Sequence, residues 1–362
     1  MKKDTNAKKA NAKKSQTLSS DGKQNVNLES PGVSKALALR IKEDIDEYCV
    51  RTYDGGHRWH LGGSLIGEEC KRKLWYIFRW VLHEETDGRK QRLFNRGHRE
   101  EDRFIEWLEG IGFKVWADDL TNNTLWHHPE SDSYLLLPNT EEPGDPLCVP
   151  INDSHPYRKQ HIARAKADGL EFPQYRISAV HGHFGGSLDG IARLPERYGI
   201  DEPVLLEFKT NGTGKGFTDL CTQGMPVAKP LHFAQTSTYG NEYKFRYVVY
   251  LNICKNDDDL HIEVTKLDHN LGEQMKLKAE QIITSDKAPP KLSENPTFFK
   301  CKFCHFSNIC HKGAVPERNC RSCTNARPAE GGEWFCQVHN GIIPRDFVPQ
   351  ACDSYKAVTQ NV

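Results

Sequence analysis

The chain has no excess of charge of either sign. Its 362 residues carry 49 Lys and Arg against 49 Asp and Glu, a net charge of +0. That balance disfavours a passive nucleic-acid coat, which needs a basic footprint. It leaves open an acidic site neutralised by metal. No apolar run approaches the length of a membrane span, and the opening MKKDTNAKKANAKKSQ lacks the apolar core of a signal peptide. A cytoplasmic protein with no membrane partner is expected. Internal repeats are also lacking. The 12 cysteines should not form disulfides in a reducing compartment.

The length suits one large domain, or a core domain with attachments. Residues 1–30 are Lys, Asn, Ser and Gln with little to bury, and read as a disordered basic, solubilising tail. Residues 31–295 read as a core. Leu37, Ile41 and Ile45 predict a helix from Val33 to about Tyr53. GGSLIGEECKRKLWYIFRWVL reads as a second helix with Ser64 a candidate cap, and QRLFNRGHREEDRFIEWLEGIGF as a third, ending near Gly110 to Gly112. FKVWADD, HFGGSLDGIARL, PVLLEFKT, FRYVVYLNIC and DLHIEVTKL read as strands, and KPLHFAQTSTYGNEY and NLGEQMKLKAEQIIT as helices. The class is α/β with a mixed sheet. Residues from about 122 to 174 are turn-rich, with a short helix near His161, and read as an insertion.

Three features point to one metal site. Asp189 follows the glycines of HFGGSLDG, where the backbone can turn and expose a carboxylate. Glu207 and Lys209 end the next strand two residues apart, so they share a face. Glu101 falls with Gly97, Phe104, Ile105 and Leu108 at helical spacing, on the apolar stripe, whereas Glu100 and Asp102 lie beside arginines. A carboxylate facing a core calls for a cation, and His98 lies one turn away. Magnesium and manganese take oxygen ligands, so Asp189, Glu207, the Phe208 carbonyl and Glu101 or His98 make a suitable cage. Such an ion activates water beside a scissile phosphate. Lys209 would orient or deprotonate that water or stabilise developing charge. Gln235 and Tyr239, one turn apart, would position water or phosphate. Taken singly each is a weak signal: Asp-Gly is usually a turn, and Glu-x-Lys usually an ion pair.

In this order these residues resemble the PD-(D/E)XK nuclease superfamily, whose core is α-β-β-β-α-β, restriction-endonuclease-like. The nearest likeness is to phage-encoded RecB-type and λ-exonuclease-like proteins. HLGGSLIGEECKRKLWYIFRW, RLFNRGHREEDRF, GHFGGSLDG, LLEFKT, HFAQTSTY and CKFCHFSNICHKG carry it, over most of the chain from about Arg58. The resemblance implies Asp189 and Glu207 as ligands and Lys209 as the catalytic lysine. It implies a histidine (RecB-type) or a glutamate (λ-exonuclease-like) on the helix, and Gln235 and Tyr239 as the Gln-x-x-x-Tyr motif. Leu188 stands where the family signature has proline. The implied activity is exonucleolytic hydrolysis of linear duplex DNA in phage recombination or replication, in the host cytoplasm, with a single-strand annealing protein as partner. A structure-specific or flap endonuclease is the alternative. A non-catalytic metal-bound DNA-binding module is a third, and the intact triad argues against it.

Cys301, Cys304 and Cys310, with Cys70 far upstream, resemble the four-iron cluster of RecB-type nucleases of the AddB and CRISPR-adaptation kind, over residues 296–313. Iron–sulfur is favoured over zinc, for which His305 or His311 would replace Cys70. Within 314–362, Cys320, Cys323 and Cys336 read as a zinc knuckle completed by Cys352 or by His339. Similar phage-encoded tails carry a late cysteine, which favours Cys352. Cys49, Cys148, Cys221 and Cys254 read as ordinary buried residues. Lys71, Arg72, Lys73, Trp75, Tyr76, Lys215 and Phe217 are candidate DNA contacts, with Trp75, Phe78 and Trp80 better explained as core.

Overall fold

The computed structural model describes residues 31–53 and 55–358, so the basic tail lies outside the described residues. The chain divides into two compact units, Met1–Asp54 with Thr86–Arg92, and Gly55–Glu85 with Leu93–Val362. In the first, helix Pro31–Tyr53 carries Asp46, which is ion-paired to Lys42 at 2.6 Å and to Arg92.

The second unit is mixed α/β, with several small sheets around one larger one. The larger sheet runs in the order Leu260–Lys266, Tyr247–Cys254, Val204–Asn211, Gly190–Arg193 and Lys114–Trp116. Val204–Asn211 and Tyr247–Cys254 are parallel, and every other neighbour is antiparallel. The parallel pair needs a crossover, which helices Lys215–Gln223, Met225–Ala228 and Pro230–Tyr243 supply. Val204, Leu206 and Phe208 join Phe104 and Leu108 of helix Gly88–Gly110 in one core cluster. Leu205, Val248 and Tyr250 join a second, larger one with helix His269–Thr284. A strand buried on both faces reads as the continuous apolar run seen here. Helices Pro230–Tyr243 and His269–Thr284 cross so closely that a Cβ on Gly272 would lie 2.4 Å from the Ser237 carbonyl oxygen.

Two expected elements differ. HFGGSLDGIARL is two strands in different sheets. Phe184–Ser187 pairs with Leu61–Gly62 and Arg176–Ala179, whereas Gly190–Arg193 joins the larger sheet. The chain bends between them because Leu188 is buried and Asp189 engages a neighbouring strand. The second helix is confined to Lys71–Phe78, after a short 3₁₀ turn at Gly63–Leu65. Its cap is Cys70, whose Sγ accepts from the Lys73 amide at 3.4 Å, rather than Ser64. Gly62, Gly63 and Gly67 disfavour an earlier start.

The insertion contains strands Asn123–His128, Ser133–Pro138 and Val149–Pro150 and helix Arg158–Ala167, around a small core of Leu125, Ile151 and Ala165. The cysteine-rich tract forms a three-stranded sheet, Ala326–Pro328, Trp334–Cys336 and Gly341–Ile342, and sends Trp334, Val348 and Val358 into the larger core cluster. No helix among the described residues is long and apolar enough to cross a membrane.

Candidate active site and cysteine centres

The strand period aims Glu207 and Lys209 to one face, and parallel pairing sets Tyr250 opposite Glu207 and Asn252 opposite Lys209. Glu207 is fully buried. Its Oε1 is ion-paired with Lys209 Nζ, and its Oε2 accepts from Gln235 Nε2 at 3.2 Å. Lys209 Nζ also donates to the Phe208 carbonyl at 3.1 Å and lies 3.9 Å from Asp189 Oδ2. Asp189 Oδ2 accepts from the Phe208 amide at 2.6 Å, which fixes the carboxylate at the end of the Glu-Lys strand.

Tyr239 is held by absent side chains. A Cβ on Gly186 would lie 2.0 Å from its hydroxyl oxygen, and one on Gly63 would lie 2.7 Å from its ring. Asp189, Phe208, Lys209, Gln235, Tyr239, His98 and Glu101 line one cleft of about 1010 Å³. His98 Nδ1 and Glu101 Oε1 are 3.2 Å apart. Glu101 lines this cleft, on the helix face whose Phe104 packs on Phe208. The buried acid of the helix is its neighbour Glu100, paired with Arg103 at 2.6 Å and Arg96 at 3.8 Å. The helical repeat could not separate these adjacent acids, because the strand that covers the helix comes from far along the chain.

Burial, and then the Glu207 charge, push the Asp189 carboxyl up to about 7, with Lys209 opposing. Burial opposes the Lys209 ammonium, but Glu207 and Asp189 more than offset it and hold the lysine cationic. Burial, then the charges of Glu207 and Asp189, raise the Tyr239 hydroxyl, which stays protonated. The hydrogen bond to Glu101 raises His98. Beyond Lys209, His232 Nδ1 and Tyr250 Oη are 2.9 Å apart, and Asn252 Nδ2 donates to Tyr250 Oη at 3.0 Å.

Arg58, Trp59, Arg176 and Arg345 also line the cleft. The sequence reading did not single them out, since they stand on separate segments with no shared spacing. Of the expected DNA contacts after Cys70, Arg72 and Tyr76 are corrected: both are buried, and Arg72 Nε donates to the Pro289 carbonyl at 2.6 Å; Trp75, Phe78 and Trp80 are buried as their core reading expected. Phe217 is buried too, while Lys215 is exposed.

Cys70, Cys301, Cys304 and Cys310 line a second cavity of about 410 Å³. His311 joins them there, whereas His305 Nε2 faces the His83 carbonyl at 3.1 Å. Burial raises the Cys304 and Cys310 thiols. Cys320, Cys323, Cys336 and Cys352 line a third, of about 20 Å³, which His339 does not line. Cys49 and Cys254 are buried as expected, but Cys221 is exposed and Cys148 half-buried. Among the described residues no set of three or more His, Cys, Asp or Glu side chains stands ready to hold a metal ion. In the cleft, Lys209 and Gln235 engage both oxygens of Glu207.

No family model matches the chain, and no curated protein matches it. A crystal structure, that of SSO0001, is 14% identical, covers 75% of this chain and 96% of that one, and gives a TM-score of 0.36. A likeness at that level carries no argument.

Proposed function

We propose that the chain is a divalent-metal-dependent DNA nuclease built on a restriction-endonuclease-like core of the PD-(D/E)XK type. The observation that carries this reading is the meeting of Asp189, Lys209, Gln235, Tyr239, His98 and Glu101 in one cleft, with Glu207 buried against Lys209 and Gln235. The sheet supports the fold assignment: helix Gly88–Gly110 precedes the antiparallel strands Gly190–Arg193, entered just after Asp189, and Val204–Asn211, which bears Glu207, and helix Pro230–Tyr243 crosses to a parallel partner.

The donor set fits magnesium or manganese. It is rich in oxygen, and burial, then the Glu207 charge, raises the proton affinity of Asp189, as expected of a carboxylate that a cation would relieve. Asp189, Glu207, the Phe208 carbonyl and Glu101, with His98 beside it, would hold the ion. When bound, it would activate water and neutralise charge on the scissile phosphate. Lys209, whose ammonium Glu207 and Asp189 favour, would stabilise charge on phosphate or orient the water. Gln235 fixes the Glu207 carboxylate. The protonated Tyr239 hydroxyl offers a donor. Arg58, Arg176 and Arg345 would hold backbone phosphates, and Trp59 would stack on a base.

Cys70, Cys301, Cys304 and Cys310 line one cavity, which supports a shared centre for these four thiols; the choice of a four-iron cluster over zinc follows from the family resemblance. The preference for linear duplex ends, the host-cytoplasm setting and the annealing partner follow from the family resemblance alone.

Lys209→Met tests the reading. Cleavage of duplex DNA with magnesium or manganese should fall by ~10²-fold or more, as for loss of a charge-stabilising donor, while DNA binding stays within a few-fold. Undiminished cleavage would remove Lys209 from the chemistry. DNA binding with no cleavage by the unsubstituted protein in either metal would favour a binding module.

A further inference from the structure

Arg79 and Arg321 are both fully buried, and neither forms an ion pair with a carboxylate among the described residues. Arg321 is enclosed by aromatic rings, 4.7 Å from the Phe78 centroid, 4.4 Å from Trp80 and 4.8 Å from Trp334. Arg79 lies 5.0 Å from Trp334. Three of their guanidinium nitrogens, Arg79 Nε and Arg321 Nε and Nη2, have no hydrogen-bond partner. Two buried cations without an anion are costly. Arg321 Nη1 donates to the Arg58 and Trp59 carbonyls at 3.3 and 3.1 Å, and Arg79 reaches the segment around the 20 Å³ cavity lined by Cys320, Cys323, Cys336 and Cys352. Arg79 Nη2 donates to the Cys323 carbonyl at 2.5 Å, and Arg321 follows Cys320 directly in the chain.

The thiols are prepared in other ways. Cys323 Sγ accepts from the amides of Asn325 at 3.5 Å and Lys356 at 3.4 Å, which fix its position at the cavity. Ala351 holds a left-handed φ of +58°, which an alanine adopts at a cost, and this bend brings Cys352 to the cavity. His339 is exposed in the turn between strands Trp334–Cys336 and Gly341–Ile342.

We propose that Cys320, Cys323, Cys336 and Cys352 bind one zinc-type divalent ion as a tetrathiolate, balanced by the buried Arg79 and Arg321. A divalent ion with four thiolates carries two negative charges, which two guanidiniums cancel. With His339 as fourth ligand one positive charge would remain buried. Binding requires the thiols to turn inward and to release their protons.

The centre also braces the cleft. Gly331, Gly332 and Arg345 of the same tract form part of its wall. The Gly332 amide donates to the His181 carbonyl at 2.7 Å, and a Cβ on Gly182 would lie 2.7 Å from the Gly332 amide nitrogen. The ion therefore positions a wall of the cleft without touching the reacting groups. This assignment stands whether or not the cleft hydrolyses DNA.

Zinc content per chain should fall by one equivalent in Cys352→Ser and stay unchanged in His339→Ala. The reverse pattern, or no change in either, would overturn the ligand set. Arg79→Met should weaken zinc binding by about 10–100-fold in competition with a chromophoric chelator. Unchanged affinity in a folded Arg79→Met protein would overturn the charge balance. Cobalt added to the unsubstituted, zinc-depleted chain reads the ligands without any variant. A sulfur-only ligand-field spectrum is expected, and a mixed sulfur–nitrogen spectrum at this site would contradict it.

Discussion

The Phe208 amide donates to Asp189 Oδ2 at 2.6 Å, tying the bend after Phe184–Ser187 to the strand that carries Glu207 and Lys209. An asparagine at 189 can accept the same bond but brings no charge. Asp189→Asn should therefore fold normally, with a melting temperature equal to or above that of the parent, because repulsion from Glu207 is relieved. It should lose manganese binding at the cleft and DNA cleavage. A thermal melt, a manganese titration and a digestion check this, and a large drop in melting temperature would contradict it.

The adjacent acids of helix Gly88–Gly110 should separate by phenotype. Glu100 is buried against Arg96 and Arg103, so Glu100→Ala should cost about 1–3 kcal/mol of stability and leave the specific activity of the folded fraction intact. Glu101 faces the cleft, so Glu101→Ala should leave stability within about 0.5 kcal/mol and lower cleavage. Urea unfolding and cleavage rates of both variants read this directly.

Tyr239 fills space that only glycine leaves. Gly186→Ala places a methyl 2.0 Å from the tyrosine hydroxyl oxygen, and should destabilise the protein by about 1–3 kcal/mol while lowering activity. Adding Tyr239→Phe should recover part of the stability but not the activity. A double-mutant cycle with no coupling between the two positions would show that this contact is not what holds Tyr239.

Two histidines, the buried His183 and the half-buried His232, set the acid limit. Burial, chiefly, lowers His183 to about 4 and His232 to about 3. Below the ordinary value of 6.5 the unfolded chain takes up protons that the folded chain resists. Stability from His183 is therefore present above 6.5 and lost as pH falls towards 4, and that from His232 is lost towards 3. For His183 the loss is on the order of 3 kcal/mol at the bottom of its window. His183→Gln should lessen the acid sensitivity in urea unfolding at a series of pH values. Parallel curves for parent and variant would contradict this.

The shared face of Glu207 and Lys209 was legible from strand period alone, and all four cysteines expected around each centre meet in one cavity. What was hidden depends on distant packing. The bend between Ser187 and Gly190 is set by the Phe208 amide, which no local spacing reveals. The choice between Glu100 and Glu101 is made by elements a hundred residues away. Arg58 and Arg176 are brought to the cleft by the sheet that pairs Leu61–Gly62, Phe184–Ser187 and Arg176–Ala179, and Arg345 by the cysteine-rich tract. The family resemblance suggests Cys70 as a ligand, but nothing in the sequence shows it as a helix cap as well.

The central claim is that Glu207 and its neighbours hydrolyse phosphodiester bonds. Its most direct test is digestion of end-labelled linear and closed circular duplex DNA, with magnesium or manganese, by the parent protein and by Glu207→Ala, both purified anaerobically. The account predicts that the parent degrades linear DNA and the variant degrades none, with the label giving the polarity. Equal degradation by the two proteins would contradict it.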